Sequence, residues 1–391
     1  MSAINFTIEG PKSSAGNTPK ADVPFDEVSH WIDVTPSQRV VVLNPVIDTI
    51  ALTVTAQSAL KYLTPSVALA DTQATSATYW NGIFNRVAEE ASDPTQELIH
   101  WSKRRIPKYK KTVDLLIPGQ DATALLSVDP TQKSMAPLRL EFSVSKLGKT
   151  GIKELANRWS EIDIDNVAFQ ALWLDARITR VDIAVDILNL DISDLVVFNP
   201  AVWKIWSAAS ASTGMQTHQF YLKKANKKSP FLDPKSRSDL LVYDKREEQL
   251  AHGNEPRFDQ IAHVRVEASR QSKSFLRNLP KLTYPFQGWE FQRPASLPPP
   301  YEAWIWKLFF DSARVRGYEA AKMLVPEHIW EKGDHLLDKF YEGDLINEQS
   351  IWPDWDKTLQ KSSIRQILDW SKSDLHDLLP GQKGTLYFTS P

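Results

Sequence analysis

Residues 178–188 read ITRVDIAVDIL, in which Arg180, Asp182 and Asp186 alternate with Val181, Ile183, Val185 and Ile187. A period of two puts the acids and the base on one face of a strand and the apolar residues on the other. Two later segments read the same way. In 239–247 one face presents Leu241, Tyr243, Lys245 and Glu247; in 262–269 it presents His263, Arg265, Glu267 and Ser269, with Val264, Val266 and Ala268 turned inward. As neighbours in one sheet, the three strands would share a surface of carboxylates, cations, an imidazole and a phenol. Clustered Asp and Glu are hard oxygen ligands suited to Mg²⁺ or Mn²⁺. Such an ion polarises a phosphoryl group for in-line displacement, and Arg and Lys stabilise the same charge. The Tyr243 hydroxyl could attack phosphorus and leave the protein joined to DNA. With an ordinary pKa of about 10, it would need Lys245 or the metal to activate it. Tyr221 is its nearest rival. The plain alternatives are an ion-pair network on a strand face and a tyrosine that only packs.

Composition bounds the partners. The chain has 391 residues, room for roughly two or three domains. It has no cysteine, which excludes disulfides and thiolate metal sites. No apolar run approaches the roughly 20 residues of a membrane span, and the first residues lack a basic-then-apolar leader pattern. The expectation is a cytoplasmic protein that does not touch membrane. A net charge of −2 argues against indiscriminate nucleic-acid binding but allows local basic surfaces. Residues 103–111, KRRIPKYKK, gather Lys103, Arg104, Arg105, Lys108, Lys110 and Lys111; residues 223–237 begin with Lys223, Lys224, Lys227 and Lys228. Both clusters are candidate phosphate contacts, whereas the stretch after Pro326 is acid-rich.

Residues 1–37 mix Ser, Gly, Pro, Asn and Lys without periodicity and read as a flexible arm. A strand at 44–57 is followed by a helix at 77–102, strands at 112–117, 124–128 and 138–144, and a helix at 149–174. The order then recurs: the strand at 178–188, a helical region at 192–211 interrupted by Pro200, strands at 217–223, 239–247 and 262–269, and a helical region from Lys273. Leu138-Arg139-Leu140-Glu141 even resembles Val264-Arg265-Val266-Glu267. The expectation is an α+β fold: a mainly antiparallel sheet built from a duplicated strand–helix–three-strand unit, with helices on one face. Its bounds are 44–176 for a DNA-binding or structural half and 177–292 for a catalytic half. A Pro-rich break at 293–300 leads to a tryptophan-rich helical region at 301–391.

At these residues a resemblance becomes specific. Leu241-Val242-Tyr243-Asp244-Lys245, followed by Glu247 and Glu248, resembles the tyrosine strand of replication initiators from rolling-circle plasmids, filamentous phages and some integrative elements. The 180–186 run is similar to that family's preceding acidic strand, and 264–267 to its following one. Residues 138–148, LRLEFSVSKLG, resemble a strand-plus-turn in the first half of the phage members, so the likeness spans about 46–280. The family's glycine-rich turn before the tyrosine strand is replaced by a longer basic loop. No two histidines stand one residue apart, which sets the chain outside the relaxase-type subclass that binds metal through such a pair.

The resemblance implies a metal-dependent nickase and strand transferase that opens a replication origin. By position it makes Tyr243 the nucleophile, supported by Lys245 and Arg265. Asp182 and Glu267 become the leading metal ligands, with Asp186 as a supporting one. It also implies origin DNA as partner, with a host helicase and self-association as further expectations. Two other readings stand beside it: an origin-binding protein on the same scaffold that does not cut, and a metal-dependent nuclease that uses water.

Overall fold

The computed structural model describes residues 5–9, 20–35, 38–55, 72–95, 97–120, 122–132, 134–162, 172–199, 201–209, 216–222, 239–258, 260–272, 274–292, 308, 309, 312, 321, 323, 324, 344–353 and 355–370. In chain order the strands begin with β1 (Asn5–Glu9), β2 (Lys20–Pro24), β3 (Val28–Thr35), β4 (Gln38–Leu43) and β5 (Val46–Val54). Helix α1 (Thr72–Ser92) precedes a run of four strands, β6 (Ile99–Trp101), β7 (Tyr109–Leu116), β8 (Thr123–Pro130) and β9 (Leu138–Ser143), and then helix α2 (Val144–Ile162). The long β10 (Arg177–Leu188) leads to β11 (Val196–Phe198), β12 (Val202–Ala209), β13 (Gln216–Leu222) and β14 (Leu240–Asp244). Helix α3 (Lys245–Ala251), β15 (His263–Arg270) and β16 (Glu290–Gln292) follow, and α4 (Glu348–Ile351), α5 (Trp355–Lys361) and α6 (Arg365–Trp370) complete the set. The fold is α+β and its sheets are mainly antiparallel.

The chain divides into two compact units. The first, called here the Arg139 unit, comprises Ile47–Asp182, Arg270–Leu282 and Asp356–Pro391; the Tyr243 unit comprises Met1–Val46, Ile183–Ser269 and Thr283–Trp355. The division falls within β10, where the expected bounds placed it just ahead of that strand. In the Arg139 unit the strands lie in the order β5-β9-β8-β7-β6. Leu52, Leu140, Leu126 and Val113 form one cross-strand row, all fully buried. Helix α1 packs against β6, β7 and β8 and buries Trp80, Ile83, Phe84 and Val87, the i, i+3, i+4, i+7 spacing of a core-facing stripe. Helix α2 bends at Gly148, whose φ of 62° is open to glycine at little cost.

The Tyr243 unit repeats that order of strands, as β10-β15-β14-β13-β12. Its buried face is carried by Val242, Val264, Val266, Leu240 and Ala268. Strand β4 pairs with the end of β10, Ile187 against Val42 and Leu188 against Val41, and β3 pairs with β4. Val41, Leu43 and Leu188 close a core cluster there with Val23, Phe258 and Ile261.

Several expectations are corrected. Residues 5–9, 20–24 and 28–35 are strands, not part of an irregular arm. The helix expected at 192–211 is a short 3-10 turn followed by β11 and β12. Its Val196, Val197, Phe198, Val202 and Ile205 are β-formers, and β12 gains a complete antiparallel partner in β13. Among the described residues, four strands therefore extend the sheet from the leading strand in each unit, not three, because β6 and β12 lie inside stretches read as helical; β11 pairs with β16 in a separate sheet. The helical region from Lys273 is a 3-10 helix over Leu276–Lys281. In the C-terminal region α4, α5 and α6 are helical, and Trp352 stacks on Trp355 with ring centroids 4.3 Å apart. Trp304, Trp306 and Trp330 lie outside the described residues.

Candidate active site

Tyr243 stands near the end of β14, opposite Thr217 on β13 and Arg265 on β15. Residues opposed in this way lie on the same side of a sheet. The next row on that side is Gln219, Leu241 and Glu267. The phenol leans diagonally across the strand pair, and its hydroxyl donates a 2.6 Å hydrogen bond to Glu267 Oε1. Two rungs of an antiparallel ladder thus bring together two groups 24 residues apart in the chain.

Beside them lies a second pair. Arg265 grips Asp186 with both arms: Nε donates to Oδ1 and Nη2 to Oδ2, each at 2.7 Å. His263 Nε2 lies 3.0 Å from Asp186 Oδ1, and its ring meets Phe258 edge-on. Burial alone would raise the Asp186 pKa, but Arg265 and then His263 outweigh it and hold the carboxyl far below its usual range. All five groups, Tyr243, Glu267, Arg265, Asp186 and His263, share the face that the period-two reading assigned to them.

Lys245 and Glu247 do not. Strand β14 ends at Asp244, which caps α3 by accepting a 2.9 Å hydrogen bond from the Glu247 amide. The Asp244–Glu247 spacing is that of a helix capping box, a signal the alternation reading passed over. Lys245 is buried in the first turn of α3, pairs with Glu248 at 2.6 Å and keeps its ammonium 5.6 Å from the centre of the Tyr243 ring. Tyr221 donates to Gln219 Oε1 at 2.7 Å, and burial and then the Asp239 carboxylate push its pKa up, away from the ionised form a nucleophile needs.

The proposed metal ligands are divided between the units. Asp182 lies in the Arg139 unit, where Arg180 takes both of its oxygens, Oδ1 through Nε at 2.9 Å and Oδ2 through Nη2. Arg180 also reaches Glu141 Oε1 through Nη1 at 3.0 Å, and Arg139 pairs with Glu141 Oε2. Among the described residues, no group of three or more His, Asp or Glu is placed to hold a metal ion. Asp182 and Asp186 each spend both oxygens on a guanidinium, and a divalent cation would compete for the same lone pairs. The residues as arranged do not fit a Mg²⁺ or Mn²⁺ centre.

Of the basic cluster at 103–111, Lys103, Arg104, Arg105, Lys108 and Lys110 are exposed. Lys110 pairs with Asp129 at 3.0 Å, and Lys111 is half-buried with Nζ donating to the Phe84 carbonyl at 3.3 Å. Lys223, Lys224, Lys227 and Lys228 lie outside the described residues. Glu141 belongs to the LRLE motif that resembles VRVE, but local pattern carries no signal that Arg139 and Arg180 take its two oxygens. No helix among the described residues is long and apolar enough to cross a membrane. Neither a scan against protein-family models nor a comparison with curated proteins found a match for the chain.

Proposed function

We propose that the protein nicks and rejoins one strand of DNA at a replication origin, with Tyr243 as nucleophile and Glu267 as its general base. The observation that supports this reading is the 2.6 Å hydrogen bond from the Tyr243 hydroxyl to the Glu267 carboxylate. A weak oxygen nucleophile in direct contact with a base is the arrangement covalent catalysis uses. As the phenolic oxygen bonds to phosphorus, its proton passes to Glu267 and the bond from phosphorus to the 3′-oxygen breaks. The 3′-oxygen leaves as a hydroxyl after taking a proton from solvent, and the 5′-phosphate stays on the tyrosine. Attack by a 3′-hydroxyl, its proton passing to solvent, reverses the step: the bond from phosphorus to the phenolic oxygen breaks and Glu267 returns the proton to the phenol. Arg265, opposite Tyr243 in the ladder, is the cation nearest in register to the developing phosphoryl charge.

A non-cutting DNA-binding protein on the same scaffold is the second reading. It is favoured by the burial of Tyr243 and by the Asp186–Arg265–His263 cluster, which has the form of a structural ion-pair network.

The test is an SDS-resistant adduct assay with origin DNA from the same replicon, run with Mn²⁺, with Mg²⁺ and with EDTA. Peptide mapping should find the phosphate on Tyr243. Tyr243→Phe should abolish the adduct, a loss of at least about 10³-fold, while DNA binding is retained. A requirement for the divalent ion would mean that the Asp186–Arg265 pair opens on the DNA. Tight binding with no nick and no adduct leaves the second reading; nicking that survives Tyr243→Phe points to attack by water.

A further inference from the structure

The two units can be compared rung by rung. In the Tyr243 unit, the rows on the polar side of the sheet are Thr217–Tyr243–Arg265 and Gln219–Leu241–Glu267. In the Arg139 unit, the rows in the same strands of the meander are Thr112–Ser127–Arg139 and Asp114–Leu125–Glu141. Threonine, leucine, arginine and glutamate recur at matching positions. At the position of the proposed nucleophile, serine replaces tyrosine. Ser127 is fully buried, and its hydroxyl lies 3.4 Å from that of Thr112. Its short side chain turns to Thr112 and does not reach across to Glu141 as the phenol reaches Glu267.

Glu141 is instead surrounded by cations. Arg139 and Arg180 hold its two oxygens, and Arg104 approaches Oε1 at 3.5 Å from the basic 103–111 segment. Among the described residues three guanidiniums meet the carboxylates of Glu141 and Asp182, and Asp114 stands in the Glu141 row two strands away. Arg139 Nη1 is buried with no hydrogen-bond partner among the described residues, whereas the Arg104 side chain is 67% exposed. A cluster with three converging guanidiniums, an unspent donor and an exposed edge offers a tetrahedral anion what a closed ion-pair network does not.

We propose that the Arg139 unit carries a non-cleaving counterpart of the Tyr243 site, whose Arg104, Arg139 and Arg180 hold a backbone phosphate of single-stranded DNA. The assignment of DNA as ligand rests on the function proposed above. The site grips a strand without cutting it, because the duplicated scaffold keeps the arginine and glutamate and lacks the phenol.

The experiment measures fluorescence anisotropy of a labelled single-stranded oligonucleotide of about 20 nucleotides across a salt series, with the full chain. Arg104→Gln removes the exposed cation and leaves Glu141 with its two other arginines. It should weaken binding about five- to tenfold near 0.15 M salt and lower the salt slope by about one. Glu141→Gln keeps the shape, removes the competing anion and should tighten binding several-fold. Matching far-UV circular dichroism and melting curves would show that both variants fold. Unchanged affinity and slope in both overturn the proposal, as does an oligonucleotide that the wild-type chain does not bind. Inorganic phosphate binding that depends on Arg104, with oligonucleotide affinity unchanged, overturns the assignment to DNA. The nicking reading is judged separately, on the wild-type adduct: binding effects as expected with no adduct would leave this site standing and remove that chemistry.

Discussion

At the scale of single residues, Asp186 decides how the Tyr243 face behaves. It neutralises Arg265 and faces His263, both buried, so its loss leaves uncompensated charge in a poorly solvated place. Asp186→Ala should cost about 3–5 kcal/mol at pH 7, read as a lower urea midpoint. The sign with pH follows from the depressed carboxyl. Its stabilisation is fully present above the ordinary carboxylate range and drains away as pH falls through and below it. The wild-type advantage over Asp186→Ala should therefore shrink between about pH 4 and pH 2. A gap that stays constant over that window would show that the ion pair contributes nothing. Alternation of apolar and polar residues was enough to place Asp186, Tyr243, Arg265 and Glu267 on one face. The Arg180–Asp182 pair, two residues apart on β10, falls under the ion-pair alternative that alternation left open, whereas the Arg265–Asp186 pair was not legible, because it depends on the register between β10 and β15, 79 residues apart in the chain.

At the scale of elements, Asp244 ends the tyrosine strand and starts a helix. It accepts from the Glu247 amide, while burial followed by nearby carboxylates raises its pKa. An uncharged acceptor should serve there as well as a charged one. Asp244→Ala should lose about 1 kcal/mol through the missing cap, and Asp244→Asn should lose little. Equal losses in the two, by thermal melts, would show that the cap hydrogen bond is not what holds the helix start. Strands with strict alternation were legible: β5, β7, β8, β9, β10, β13, β14 and β15 all fall within a few residues of their expected places. The stretch at 192–211 was not. It lacks a clean period of either kind, and β12 exists because β13 offers it a partner, a tertiary cause that local pattern does not carry.

At the scale of the whole molecule, the repeated strand order is the feature most visible beforehand, through LRLE and VRVE. The N-terminal and C-terminal segments were the least legible, since they complete cores built mostly from residues distant in sequence. Asp344 illustrates this in the Tyr243 unit. It accepts a 2.8 Å hydrogen bond from the Phe291 amide, and Tyr284 donates to the Ile346 carbonyl at 2.9 Å, so that 344–352 docks onto 284–291. Burial, aided by Glu290 and opposed by the amide bonds, raises its pKa to about 6. A carboxyl raised in the folded state binds its proton more tightly there, so this contribution is greatest below the unfolded pKa and is lost as pH rises through about 6. Asp344→Asn keeps an acceptor and removes the charge. It should gain on the order of 1 kcal/mol at pH 7.5, after allowance for solvent screening, and nothing below pH ~3.5. Equal urea midpoints for variant and wild type at pH 7.5 would refute this.

Strand β4 needs Ile187 and Leu188 as partners, yet it is synthesised long before them. At roughly 5–20 residues per second, the β3–β4 hairpin leaves the ribosome about 7 to 30 seconds ahead of the end of β10. During that interval β4, with its consecutive Val40, Val41 and Val42, has β3 along one edge and nothing along the other, and an apolar strand with an open edge invites pairing with another chain. Slower translation between the two segments should therefore lower soluble yield without altering the finished fold, and a holdase that covers the hairpin should restore it.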